Sequence, residues 1–151
     1  MEYALNGNLQ EVQRLVSEGA KADAVDTDKR NALMWAAYNG HTPVVGYLQG
    51  QGVDLDVKDK DGRTALLFAS SGPFPETVAY LLEKGVEVNV QGTSEGFTAL
   101  MMAAAEGRVK VVQLLLDHGA KAEIKDRDGD TAESFALQKG HSAVVDLLRR
   151  K

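Results

Sequence analysis

The chain has 151 residues, no cysteine, a formal net charge of −5 and 26% charged residues, and it begins Met1-Glu2-Tyr3-Ala4. Without cysteine it forms no disulfide, thiolate nucleophile or Cys-based zinc site, and its acidic balance lacks the basic stripe of a duplex-DNA binder. No run of eighteen apolar residues could span a bilayer, and the N-terminus lacks the basic-then-apolar order of a secretory leader.

In chain order, the first segment is a partial repeat unit. Tyr3-Ala4-Leu5-Asn6-Gly7 reads as the end of a short helix, and Val12, Leu15 and Val16 mark a second helix that stops at Gly19. A full unit then begins and recurs. Asn31-Ala32-Leu33, Thr64-Ala65-Leu66, Thr98-Ala99-Leu100 and Thr131-Ala132-Glu133 start 33, 34 and 33 residues apart. A glycine lies twenty-one residues after each of the first three starts, at Gly52, Gly85 and Gly119. A fixed period of this size predicts a stacked array rather than a compact globule.

The fourth unit shows the local logic. Thr98 is an N-cap, because its hydroxyl can accept an orphan backbone N–H. Leu100 to Ala105 contain strong helix formers, and Gly107 ends the helix. Val109, Val112, Leu115 and Leu116 then repeat at helical spacing, and Gly119 ends the second helix. The chain runs on to an Asp128-Gly129 turn and the next unit. Small residues at Ala36-Ala37, Ala69-Ser70 and Ala103-Ala104 let the short helices approach closely. In the third unit Ser70-Ser71-Gly72-Pro73-Phe74-Pro75 replaces the simple glycine turn. Pro73 is expected to close the first helix early, and Pro75 suits the first position of the second. The loop after Gly85 holds one extra residue, within Gln91 to Gly96. In the last unit Glu133 stands where Leu33, Leu66 and Leu100 stand, a polar swap expected of a terminal cap on a nearly complete small array. The basic tail Arg149-Arg150-Lys151 reads as favourable charge at a helix C-terminus. Ten helices in five pairs are expected, in a single all-α domain over 1–151, with repeats near 1–25, 26–58, 59–92, 93–125 and 126–151.

These residues resemble the ankyrin repeat. Asp59-Lys60-Asp61-Gly62-Arg63-Thr64-Ala65-Leu66 matches the family's Asp-x-x-Gly-x-Thr-Pro-Leu closely, as do Ala36-Ala37-Tyr38-Asn39-Gly40-His41 and Leu115-Leu116-Asp117-His118-Gly119-Ala120 their own parts of the pattern. The family proline is alanine in all four full units, and its histidine is Met34, Leu67, Met101 and Ser134, so the family's Thr–His hydrogen-bond network is missing. Thr-Ala-Leu-Met is similar to bacterial members. The resemblance implies a solenoid with an L-shaped cross-section and projecting hairpin loops. It also implies a partner held on the concave face of loop tips and first helices.

Catalytic and metal-binding patterns are weak. His41, His118 and His141 belong to three different units and form no His-x-x-x-His pair. Asp126-x-Asp128-Gly129-Asp130 hints at a calcium loop, but position twelve is Leu137 rather than the required glutamate. Asp54, Asp56, Asp59, Asp61, Glu123, Asp126, Asp128 and Asp130 therefore read as a solvated face. No phosphate-binding or nucleophile-elbow motif occurs, and no cofactor is expected.

Surface recognition remains. Trp35, Phe68, Met102 and Phe135 occupy equivalent positions, an apolar stripe for which Phe68, Met102 and Phe135 are assigned to the core. Arg30, Trp35, Tyr38, Arg63 and Phe97 are the candidate protein-binding residues, since interface energy concentrates in Trp, Tyr and Arg. Phe97 is expected to be exposed at a loop tip. Arginine forks onto carboxylates, so an acidic or mixed surface with one apolar anchor is the expected complement. The expectation is a non-enzymatic scaffold that binds one protein, a monomer in the cell interior, with neither nucleic acid nor membrane as partner. The alternatives are an inhibitor of one specific enzyme that uses the same face, or an engineered array without a natural partner.

Overall fold

The computed structural model describes residues 1–150, so Lys151 of the basic tail lies outside the described residues. Among the described residues ten helices form five pairs: α1 (Glu2–Leu5) with α2 (Leu9–Ser17), α3 (Ala32–Tyr38) with α4 (Thr42–Gly50), α5 (Ala65–Ser71) with α6 (Pro75–Glu83), α7 (Ala99–Ala105) with α8 (Val109–Asp117), and α9 (Ala132–Lys139) with α10 (Ser142–Arg149). The first helices stack in one row from α1 to α9 and the second helices in another. Among the described residues the only extended pairing is the isolated bridge between Val25 and Asn31.

The core lies between the two rows. Val44, Val45, Leu48, Val78, Leu81, Val112 and Leu115 come from the apolar stripes of the second helices, and each is fully buried. From the first helices come Leu33, Leu66 and Leu100, with Ala36, Ala37, Ala69, Ala103 and Ala104 where backbones approach. One face of a short helix pair cannot be buried within its own unit, so the stack is the smallest stable object.

The cap read at Thr98 is present, and two other helix starts share it. Asn31 accepts the Met34 N–H at 2.9 Å, Thr98 the Met101 N–H at 3.3 Å and Thr131 the Ser134 N–H at 3.3 Å. The missing family histidine is replaced locally. Thr98 N–H points at Met101 Sδ at 3.5 Å, and Thr131 N–H donates to Ser134 Oγ at 3.1 Å. Thr64 differs: its hydroxyl is buried and has no partner.

The junctions between units share a clasp that the sequence does not announce. His41 donates from Nε2 to the Leu5 carbonyl at 2.9 Å, and His141 to the Ala105 carbonyl at 3.0 Å. Arg108, in the same position of the fourth unit, donates from Nε to the Ser71 carbonyl at 3.2 Å. These partners are the last residues of α1, α7 and α5, whose terminal carbonyls the helices leave unpaired. The imidazole of His141 lies on Gly107, where a Cβ would meet it at 2.6 Å. Gly107 has φ of 66°, so both the turn and the close approach require glycine. In the third unit Phe74 takes the clasp position. Its ring lies on Gly40 in the same way, but it has no donor for the Tyr38 carbonyl.

Pro73 does not shorten its helix. α5 has 7 residues, as α3 and α7 do. The proline comes after the last helical residue, Ser71, and Gly72 is extended with φ of −90° and ψ of 165°. The restriction that proline places on its predecessor therefore falls on a residue already outside the helix.

The projecting loops are zipped to one another. Lys60 N–H bonds the Asp28 carbonyl at 2.8 Å, Thr93 N–H the Asp61 carbonyl at 2.7 Å, and Arg127 N–H the Glu95 carbonyl at 3.0 Å. Three of the loops are built on one aspartate each. Asp26 Oδ1 accepts from the N–H groups of Asp28 and Arg30, Asp59 from those of Asp61 and Arg63, and Asp126 from those of Asp128 and Asp130. The loop with the extra residue has Gln91 instead, whose amide donates to the Gly96 and Lys125 carbonyls.

In the last unit Glu133 pairs with Arg149 at 2.7 Å. Inner units hold Leu100 and Leu116, or Leu66 and Leu82, at these two positions, all of them buried. An ion pair thus stands at the end of the stack where inner junctions bury two leucines.

Candidate functional site: the first-helix face

The starts of the first helices and the loop tips form one continuous face. Each loop tip ends in a residue immediately before its helix cap: Arg30, Arg63, Phe97 and Asp130. Five residues further on, one turn into each helix, come Trp35, Phe68, Met102 and Phe135. All four are half-buried rather than sealed inside. The expectation that Phe68, Met102 and Phe135 are core therefore holds only in part: none is fully buried, although Phe135 packs against the core. Residues three apart share a helix face: Leu33, Ala36 and Ala37 take the inward side of α3, and Trp35 and Tyr38 share the open side.

The N-terminal part of this face is an ordered aromatic path. Trp35 and Tyr38 meet edge to face, with centroids 6.5 Å apart and planes at 87°. Tyr38 meets Phe68 across the junction at 6.5 Å and 85°. Such pairs add about 0.5–1.5 kcal/mol beyond their buried area. Tyr38 is 46% exposed, so the middle of the path is open to solvent. The Arg30 guanidinium lies over the Trp35 ring at 5.4 Å and that of Arg63 over Phe68 at 5.0 Å.

Asp59, expected on a solvated face, is instead sealed: its side chain is 0% exposed. Arg63 donates to it from Nε at 3.0 Å, and Arg63 Nη2 also bonds Asp61 at 3.0 Å. Arg30 Nε approaches Asp59 Oδ2 at 3.7 Å, too long for a hydrogen bond, and Arg30 pairs with Asp28 at 3.5 Å. The two arginines are therefore already engaged by three carboxylates of their own chain. They are not free forks for an acidic partner, and their rigid placement over the rings is what the aspartates secure.

Phe97 also departs from its expected exposure. It is half-buried and packs edge to face on Phe135 of the next unit, at 5.4 Å and 88°. The loop that carries it is zipped to the succeeding loop, which turns the ring toward the stack. Trp35, Tyr38, Arg30 and Arg63 form one cluster, whereas Phe97 belongs to a second, one unit away. Between them lies a groove of about 340 Å³ lined by Asp61, Arg63, Leu67, Gly92, Ser94, Glu95, Phe97 and Met102. Sequence reasoning missed the roles of Asp59 and Phe68. The recurrence of Asp26, Asp59 and Asp126 in the same register was the available signal.

Among the described residues no three His, Asp or Glu side chains gather as a metal site. His41 and His141 are occupied by the clasp, and His118 bonds the Leu114 carbonyl at 2.8 Å.

A model of a repeat family, described as ankyrin repeats in three copies, matches residues 1–92 and 71–151. The chain belongs to the ankyrin repeat family. Ankyrin repeats generally mediate protein–protein interaction. The chain is 39% identical over 57 residues to the potassium channel AKT1 of Oryza sativa subsp. indica, a match covering 38% of this chain and 6% of the channel. It is 45% identical over 47 residues to the E3 ubiquitin-protein ligase mind-bomb of Drosophila melanogaster, covering 31% and 4%. It is 44% identical over 48 residues to ankyrin repeat family A protein 2 of Mus musculus, covering 32% and 15%. These matches span no more than 15% of the relatives' own lengths. No helix among the described residues is long and apolar enough to cross a membrane.

Proposed function

We propose that this ankyrin array is a non-enzymatic recognition module that holds one protein partner on its concave face, acting as a monomer in the cell interior. The observation that carries this reading is the Trp35–Tyr38–Phe68 path with Arg30 and Arg63 stacked on it. Rings fixed by edge contacts and guanidiniums fixed by aspartates lose little entropy when a partner docks, so their contact area converts efficiently into affinity. Tyr38 is the expected anchor and Trp35 its support. Phe97 contributes through the second cluster.

The test is a partner captured from the source cell, identified by mass spectrometry, purified and titrated calorimetrically. Tyr38→Ala should cost about 2 kcal/mol or more, roughly thirtyfold in affinity. Gln113→Ala, on the exposed side of α8, should leave binding unchanged. Arg63→Ala is the poorer probe, because it strips the buried Asp59 of its closest cation and can loosen the loop. Binding lost with Gln113→Ala and kept with Tyr38→Ala, both variants being folded, would remove the concave face from consideration.

A further inference from the structure

The groove between the two aromatic clusters differs in charge from the aromatic path. Its floor is apolar: Leu67 is buried, and Met102 and Phe97 are half-buried and face the opening. Its rim carries Asp61 and Glu95 against Arg63. Arg63 is spent on Asp59 and Asp61, and Asp61 also accepts from Ser94 Oγ at 2.8 Å. Glu95 is exposed at the loop tip and takes part in no ion pair among the described residues, although its backbone carbonyl is fixed by Arg127 N–H. The next loop tip adds Asp128 and Asp130, also outside any such pair, and its Arg127 side chain is turned to the Thr93 carbonyl. On these two loop tips the carboxylates of Glu95, Asp128 and Asp130 outnumber the one cation outside any ion pair, Arg127, so the excess charge is negative, beside an apolar floor large enough for one long side chain.

We propose that this groove receives a lysine or arginine side chain of the partner, its aliphatic stem on Phe97 and Met102 and its charged head on Glu95. This deepens, and rests on, the concave-face reading, and it reverses the acidic complement expected from the sequence. Long basic side chains suit such a site because the stem buries apolar area while the head stays at the rim. A carboxylate brought to the same place would meet Glu95 and Asp61 on a rim whose one cation, Arg63, is already held by Asp59 and Asp61, and like-charge juxtaposition at an interface is strongly unfavourable.

A phage library of random twelve-residue peptides, panned on the whole chain, supplies the probe. The strongest clones are synthesised with a fluorescent label and titrated by anisotropy. The enriched peptides should carry Lys or Arg beside an apolar residue. Their affinity should fall about tenfold or more with Glu95→Lys, fall less with Glu95→Gln, and stay unchanged with Gln113→Ala. Both Glu95 variants sit at an exposed tip and keep the backbone bond to Arg127, and circular dichroism checks their fold. Enrichment of acidic peptides, binding indifferent to Glu95→Lys, or a library without binders would each overturn the basic-residue assignment. Acidic peptides that nevertheless lose affinity with Tyr38→Ala would leave the concave-face reading standing. Peptides insensitive to both Tyr38→Ala and Glu95→Lys would remove both.

Discussion

The third and fourth units have first helices of 7 residues and second helices of 9, yet they are held together differently. In the fourth unit Thr98 caps its helix, Ala104 fills the close approach, and Arg108 bonds the neighbouring carbonyl. In the third unit Thr64 and Ser70 are buried hydroxyls without partners at the two ends of α5, and Phe74 covers Gly40 without serving the Tyr38 carbonyl. Asp59, by contrast, makes the third loop the most tightly knit of the four, since only there does a fully buried carboxylate hold cations as well as backbone. The less satisfied helix and the most constrained loop occur in the same unit, next to the aromatic path. Repeats of equal length can thus divide their work, some stabilising the stack and one presenting rings and guanidiniums at a local cost in stability.

The sharpest way to break this comparison is at the aspartates. Asp59→Ala should lower stability by about 2 kcal/mol, less than the loss for a wholly buried pair because Arg30 and Arg63 keep some solvent. Asp126→Ala, which loses only backbone bonds, should cost about 1 kcal/mol. Urea midpoints with unchanged slopes measure both, and equal losses would show that the arginines add nothing to the third loop.

Native-state hydrogen exchange sharpens it next. Amides of α5 should exchange about tenfold faster than those of Val111 to Leu116 in α8, because opening in a solenoid is local and two unpartnered hydroxyls weaken the third unit. Equal protection would mean that the array opens as one body and that the difference between the units has no energetic weight.

The smallest effect is expected at the buried hydroxyls themselves. Ser70→Ala should raise stability by about 1 kcal/mol, since it removes a buried polar atom that has no partner. Ala104→Ser, the reciprocal change in the fourth unit, should lower it by a similar amount of about 1 kcal/mol. A destabilising Ser70→Ala, read from the same urea transitions, would show that the hydroxyl has a role in the fold.

Much of this was legible in the chain. The period, the ten helices, the turn glycines and the cap at Thr98 rest on local rules, because cap chemistry, helix propensity and left-handed turns are decided within a few residues. The apolar register of Trp35, Phe68, Met102 and Phe135 was visible for the same reason. Their depth was not. Whether a ring is core or surface depends on which direction the neighbouring unit occupies, and the alanines took the inward side.

What only the tertiary structure decided are the contacts that cross a junction or close a loop. Asp59 looked like any other loop carboxylate until Arg30 and Arg63 arrived from two units to bury it. Phe97 looked exposed until the zipped loops turned it onto Phe135. Pro73 looked like a helix breaker until the helix proved to end two residues before it. Sequence period fixes where each residue lies along the stack, since helix geometry repeats from unit to unit. The pairing of charges and rings is set by side-chain directions and by neighbours about thirty-three residues away, which no local pattern specifies.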